Sequence, residues 1–179
     1  MAGLTSAALP ANAAFHLWTI REIYSDSSGS LQFIELFCGS GGQTFIGGQQ
    51  ISVTSGGSSK NFTIPSNLGS DTLNHALLFG TAGIHAAGAP TPDFTIPSNF
   101  LTPGGNGSIS FFGLNSGSYT TLPNDGTHSL TWGTSTTAIN SPQNFAGTVG
   151  QITPVPEPAT WGLFALGGAA FLLLFRKRG

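Results

Sequence analysis

Between His16 and Gly133 the chain is cut into short runs of β-branched and aromatic residues, separated by stretches rich in Gly and Ser. No run is long enough for a helix of ordinary length, and strong helix formers are scarce until the last 25 residues. Such a chain can bury its apolar side chains only as strands joined by turns. "HLWTIREIYS", the polar turn "DSSGS" and "LQFIELFC" predict a first hairpin. In its second strand Leu31, Phe33, Glu35 and Phe37 share one face and Gln32, Ile34, Leu36 and Cys38 the other. Glu35 is expected to cap or pair within the body.

The segment "FTIPSN" occurs twice, within "NFTIPSNL" from Asn61 and "DFTIPSNF" from Asp93. Each copy alternates Phe, polar, Ile and stops at a proline, which cannot donate to a sheet ladder. An apolar strand follows each: "HALLFG" after the first, "SISFFG" after the second. The repeat reads as a strand-ending turn used twice, with a pair of ligand-binding loops as the alternative. A last hairpin, "YTTLP" and "THSLTWG" about Asn124-Asp125-Gly126, is expected, and an irregular polar segment beyond Gly133.

Charged residues make up only 7 % of the 179 residues. From Phe15 to Thr153 there are two basic residues, Arg21 and Lys60, against six acidic ones. No basic patch can neutralise phosphates, which argues against a nucleic-acid partner. Cys38 is the single cysteine and forms no intramolecular disulfide; it is expected to be packed. No G-x-S-x-G elbow, H-E-x-x-H or zinc-spaced Cys–His pair occurs. "CGSGG" lacks the lysine of a phosphate loop, and "SDSSGS" fits a calcium loop poorly. The sequence therefore names no catalytic residue, no metal ligand and no cofactor, and His16, His75, His85 and His128 are read as structural or exposed.

The two ends carry signals. Ala11-Asn12-Ala13 has the small-residue form of a signal-peptidase site, so residues 1–13 read as a clipped signal peptide with Ala11 and Ala13 at the cleavage point. Residues 14–150 are then the body and 151–158 a linker. Residues 159–179 are a transmembrane helix with a basic end. The uncharged run from Ala159 to Phe175 would extend roughly 26 Å as a helix, slightly short of a ~30 Å hydrocarbon core. Arg176, Lys177 and Arg178 close it, stop transfer and stay cytoplasmic. In front stand Val155, Pro156, Glu157 and Pro158. The prolines keep that stretch extended and accessible, and Glu157 lies beside the positive end of the helix dipole.

A Pro-Glu-Pro handle, a short apolar span and a basic end in this order resemble the PEP-CTERM sorting signal. The resemblance implies a Gram-negative exported protein. It would be held in the inner membrane with its body outside and its C-terminus cytoplasmic. An exosortase would then process it, and it would pass to the cell envelope or the extracellular matrix, with a link to exopolysaccharide and biofilm. The body has its own resemblance. "WTIREIYSDSSGSLQFIELF", "FTIPSNL…HALLFG", "GSISFFG" and "NSPQNFAG" are similar to lamin-tail-like domains of bacterial surface proteins. That implies a mostly β chain, an immunoglobulin-like antiparallel β-sandwich, plus the one C-terminal transmembrane helix. A non-enzymatic surface or matrix protein is the expected function. The alternative is a glycan-binding module anchored by a single span, with Trp18 or Trp132 as a sugar platform.

Overall fold

The computed structural model describes residues 15–153. Ten strands form two sheets: β1 (Trp18–Ser25), β2 (Gln32–Cys38), β3 (Gln50–Ser55), β4 (Ser58–Thr63), β5 (His75–Gly80), β6 (Phe94–Thr95), β7 (Gly107–Phe111), β8 (Asn115–Tyr119), β9 (His128–Thr131) and β10 (Thr136–Ile139). The larger sheet has the order β10-β9-β1-β2-β5-β6 and the smaller β4-β3-β7-β8. All pairings are antiparallel except β5 with β6. The described residues contain no helix, as the composition requires.

The two sheets share one core. Trp18, Ile20 and Ile23 of β1, Ile34 and Leu36 of β2, and Leu77 and Phe79 of β5 meet Ile51 and Val53 of β3 and Ile109 and Phe111 of β7. The apolar inner face of each sheet therefore covers the other. Cys38 lies buried in this cluster.

β1 reaches the core by a bulge. Its pairing with β2 shifts register between Ile20 and Glu22. The extra residue, Arg21, switches the alternation, so that Trp18, Ile20 and Ile23 face inward while Glu22 and Tyr24 face outward. The outer face of the larger sheet is not left to solvent. Tyr24, Phe33 and Leu78 there form a second apolar cluster with Ile84, Ala89 and Ile152.

The "FTIPSN" copies end one edge strand in each sheet. β4 carries the first and β6 the second. Phe62 and Phe94 both pack on the Phe79 ring, at centroid distances of 6.0 and 5.3 Å, and Ile64 and Ile96 are both buried. The two copies thus close the same side of the core, and the strands after them lie in opposite sheets. The expected last hairpin is replaced by a crossover. β8 ends in the smaller sheet and β9 begins in the larger, beside β1. Asp125 caps the start of β9 by accepting from the Thr127 and His128 backbone N–H groups and contacting the His128 ring. The segment beyond Gly133 forms β10 instead of an irregular stretch, paired with β9 across the turn at Gly133–Ser135.

Because Phe79 carries both edge closures, Phe79→Ala should destabilise the fold by about 3–5 kcal/mol. Urea unfolding followed by tryptophan fluorescence measures this; a loss below ~1 kcal/mol would contradict the shared-anchor role.

Candidate functional site

After β10 residues 140–153 cover the outer face of the larger sheet as a folded-back strap, extended to Asn144, turning at 145–147 and returning with Val149 bridged antiparallel to Gln143. Three carboxylates on or beside that face receive it. Ser141 donates its backbone N–H to Glu22 (3.0 Å), Gln143 to Glu35 (2.6 Å) and Phe145 to Asp93 (2.9 Å). In an extended chain alternate N–H groups point the same way, and these are alternate residues. Pro142 falls between them, where its missing N–H costs nothing. Its carbonyl turns away and accepts from Gly150 (3.0 Å).

Glu22 and Glu35 are backbone partners on β1 and β2, and both are buried. The bulge residue Arg21 pairs with Glu35, donates from Nη2 to the Gln143 side chain (3.1 Å) and lies over the Phe37 ring. Burial pushes the Glu35 carboxyl up to about 7, against Arg21 and the Gln143 N–H, which pull it down. Asp93 is likewise raised by burial, against the N–H groups of Leu78 and Phe145. These donors limit the cost of burying charge without removing it.

Asn140 ties the start of the strap to its returning end. Its Oδ1 accepts from the Ile152 N–H (2.7 Å), and its Nδ2 donates to the carbonyls of Ile152 (2.9 Å) and Thr127 (2.8 Å). Ile152 is buried in the second apolar cluster. Gln151 and Thr153 donate to Gly88 and Ala87. The docked chain thus continues to Thr153, three residues past the expected end of the body at 150. At the turn of the strap His75 stacks on Phe145 (4.5 Å) and its Nδ1 contacts the Phe145 carbonyl (2.7 Å).

This arrangement positions chain. Glu22, Glu35 and Asp93 already accept strap hydrogen bonds, and Asp26 accepts from Ser28, Ser30 and Leu31 in its own turn. Among the described residues no group of three His, Cys, Asp or Glu residues could hold a metal ion. Trp18, expected as a sugar platform, is wholly buried and donates its Nε1–H to the Gln43 carbonyl (2.9 Å). Trp132 is half-buried against Gly117 and the Tyr119 ring. Trp18 therefore offers no open platform.

The strap leads straight into the C-terminal signal. Residues 154–178 match the family model of the PEP-CTERM protein-sorting motif. The PEP-CTERM motif marks an exported protein targeted to an exosortase, with a membrane-anchored C-terminal signal before processing. It contains Val155, Pro156, Glu157, Pro158 and the basic Arg176, Lys177 and Arg178. The motif begins immediately after Thr153. These residues, the expected transmembrane helix and the expected cleavage point at Ala11 and Ala13 lie outside the described residues. Among the described residues no helix is long and apolar enough to cross a membrane. No curated protein and no solved structure matches the chain.

Sequence reasoning expected Glu35 only to cap or pair within the body, and missed Asn140, Glu22 and Asp93 as strap-holding residues. The available signal was "NSPQNF", with proline on the off-beat of an extended segment.

The Glu35 carboxyl binds its proton more tightly folded than unfolded. Its contribution to stability is therefore fully present below about 4.5 and lost as pH rises through about 7. Urea midpoints between pH 4.5 and 8 should fall in the parent, and the fall should be smaller in Glu35→Gln. Equal slopes would show that Glu35 is not buried as described.

Proposed function

We propose that the chain is an exported, non-enzymatic surface or extracellular-matrix protein, whose body is released from the membrane when an exosortase removes its tail. The observation that carries this reading is the PEP-CTERM motif beginning where the docked strap ends. A plain membrane anchor needs only apolar length and terminal cations, and gains nothing from two prolines around an acid. A processing enzyme does gain, because it binds extended backbone and can pair a fixed carboxylate with a basic pocket. The body stands outside, with Arg176, Lys177 and Arg178 cytoplasmic by the positive-inside rule. The trimmed protein passes to the envelope or to an exopolysaccharide-containing biofilm matrix.

The body is read as an immunoglobulin-like sandwich of the lamin-tail-like kind. Its two-sheet, shared-core architecture supports that reading, and the architecture by itself names no activity. A structural role is supported by the buried carboxylates, whose oxygens hold the strap.

Replacing Pro156-Glu157-Pro158 by Ala-Gln-Ala tests the reading in a host that carries the exosortase, with an epitope in the exposed Gly133–Ser135 turn. The expected result is normal membrane insertion and loss of trimming, so that full-length protein accumulates in the inner membrane. Trimming and release at the parental rate would refute it.

A further inference from the structure

β4 is an edge strand of the smaller sheet, and it carries a cation on its inner side. Register sets Ser58, Lys60 and Phe62 opposite Ser55, Val53 and Ile51, and paired residues share a face. Ile51, Val53 and Phe62 pack in the common core. Lys60 therefore projects from the core-facing side of β4, at an end of the sandwich where it still reaches solvent. It is one of two basic residues between Phe15 and Thr153, against six acidic ones. The other, Arg21, pairs with Glu35. Among the described residues no carboxylate pairs with Lys60. An inward charge on an edge strand hinders edge-to-edge pairing, a role that needs no cavity around it.

A cavity is nevertheless built there. After the second "FTIPSN" copy the chain crosses from β6 in the larger sheet to β7 in the smaller. Gln32 of β2 clamps Leu101 on the way, accepting its N–H (3.0 Å) and donating to its carbonyl (2.9 Å). Asn99 stands at φ +58° and donates its N–H to the Gly29 carbonyl (2.8 Å). Its own carbonyl accepts from Lys60 Nζ. Between this segment and the β3–β4 hairpin lies a cavity of about 260 Å³, lined by Val53, Ser55, Ser58, Lys60, Phe100 and Thr102. Val53 and Phe100 are buried and give it an apolar side. One wall is a paired hairpin and the other is held by buried hydrogen bonds, so the cavity is formed before any ligand arrives.

The lining selects by chemistry. An ammonium has three donors, and the Asn99 carbonyl takes one. A carboxylate carries the single charge that Lys60 matches. A phosphate dianion would keep an unmatched charge beside an acidic body. The ammonium of a free amino acid would find no carboxylate in the lining. The Ser55, Ser58 and Thr102 hydroxyls suit a ligand with hydroxyls of its own. The volume lies slightly below the ~300–1,000 Å³ of sites for drug-sized ligands, so that ligand is small.

We infer that this cavity binds the carboxylate of a small hydroxylated acid: Lys60 pairs with the carboxylate, Ser58 and Thr102 exchange hydrogen bonds with ligand hydroxyls, and Phe100 and Val53 take its apolar side. Sugar acids and open-chain hydroxy acids share this chemistry. The site is independent of the tail. Trimming can fail while the acid binds, and the reverse.

Ligand-observed NMR titration of the full chain in a neutral detergent tests it. The probes are glucuronate, a sugar acid, and glycerate, an open-chain hydroxy acid, with glucose and inorganic phosphate as comparisons. At least one acid should bind in the millimolar range, and more weakly at high salt, since an accessible ion pair is involved. Binding of glucuronate alone assigns a sugar acid and binding of glycerate alone an open-chain acid; either supports the site. Lys60→Gln should weaken binding at least about tenfold, the loss of a charge-assisted hydrogen bond. Thr102→Val, which leaves the β4 edge untouched, should weaken it about 2–10-fold. Ser116→Ala on the outer face of β8 should leave it unchanged. Matching melting temperatures show that the variants fold. No binding of either acid, equal binding of glucose, tighter binding of phosphate than of both acids, or undiminished binding in Lys60→Gln would each overturn the inference.

Discussion

Carboxylates receiving the backbone of residues 141, 143 and 145 are the interaction on which the outer half of this molecule depends. Without Glu22, Glu35 and Asp93 the strap would have no registered partner for its N–H groups. The apolar cluster beneath it, with Tyr24, Phe33 and Leu78, would lose the cover that Ile152 supplies. A hydrogen bond to a charged group contributes about 1.5–3 kcal/mol. The bonds also fix register. A one-residue slip of the strap would bring Pro142, which has no N–H, opposite a carboxylate.

The last part of the body is contiguous in sequence with the sorting signal. Asn140 uses its amide oxygen and both donors of its amide nitrogen to hold Ile152 and Thr127, and Thr153 is still bonded to Ala87. The PEP-CTERM motif follows at 154.

The hairpin of β1 and β2 was legible because its apolar alternation is strong and its turn is polar. Which face Glu22 takes was not, because the bulge at Arg21 breaks the period of two on which such reasoning rests. The turn chemistry of Asn124-Asp125-Gly126 suggested a hairpin. Asp125 instead caps β9 after a crossover, and local sequence does not say which sheet a strand joins. Trp18 illustrates the limit for sites. Its residue type fits a sugar platform, while its place at the start of β1 buries it in the common core. The cavity at Lys60, too, was invisible along the chain. It exists only once the register of β3 with β4 is set and Gln32 holds Leu101 across from them.

The central claim is that residues 140–153 are part of the folded body, held by buried carboxylates and the Asn140 clasp. Amide hydrogen exchange on the full chain tests it most directly. The account predicts that the Gln143, Phe145 and Ile152 amides exchange as slowly as those of β1 and β2, and that Glu35→Ala speeds Gln143 while leaving β3 and β7 unchanged. Exchange of those strap amides at the rate of an unstructured peptide would contradict it.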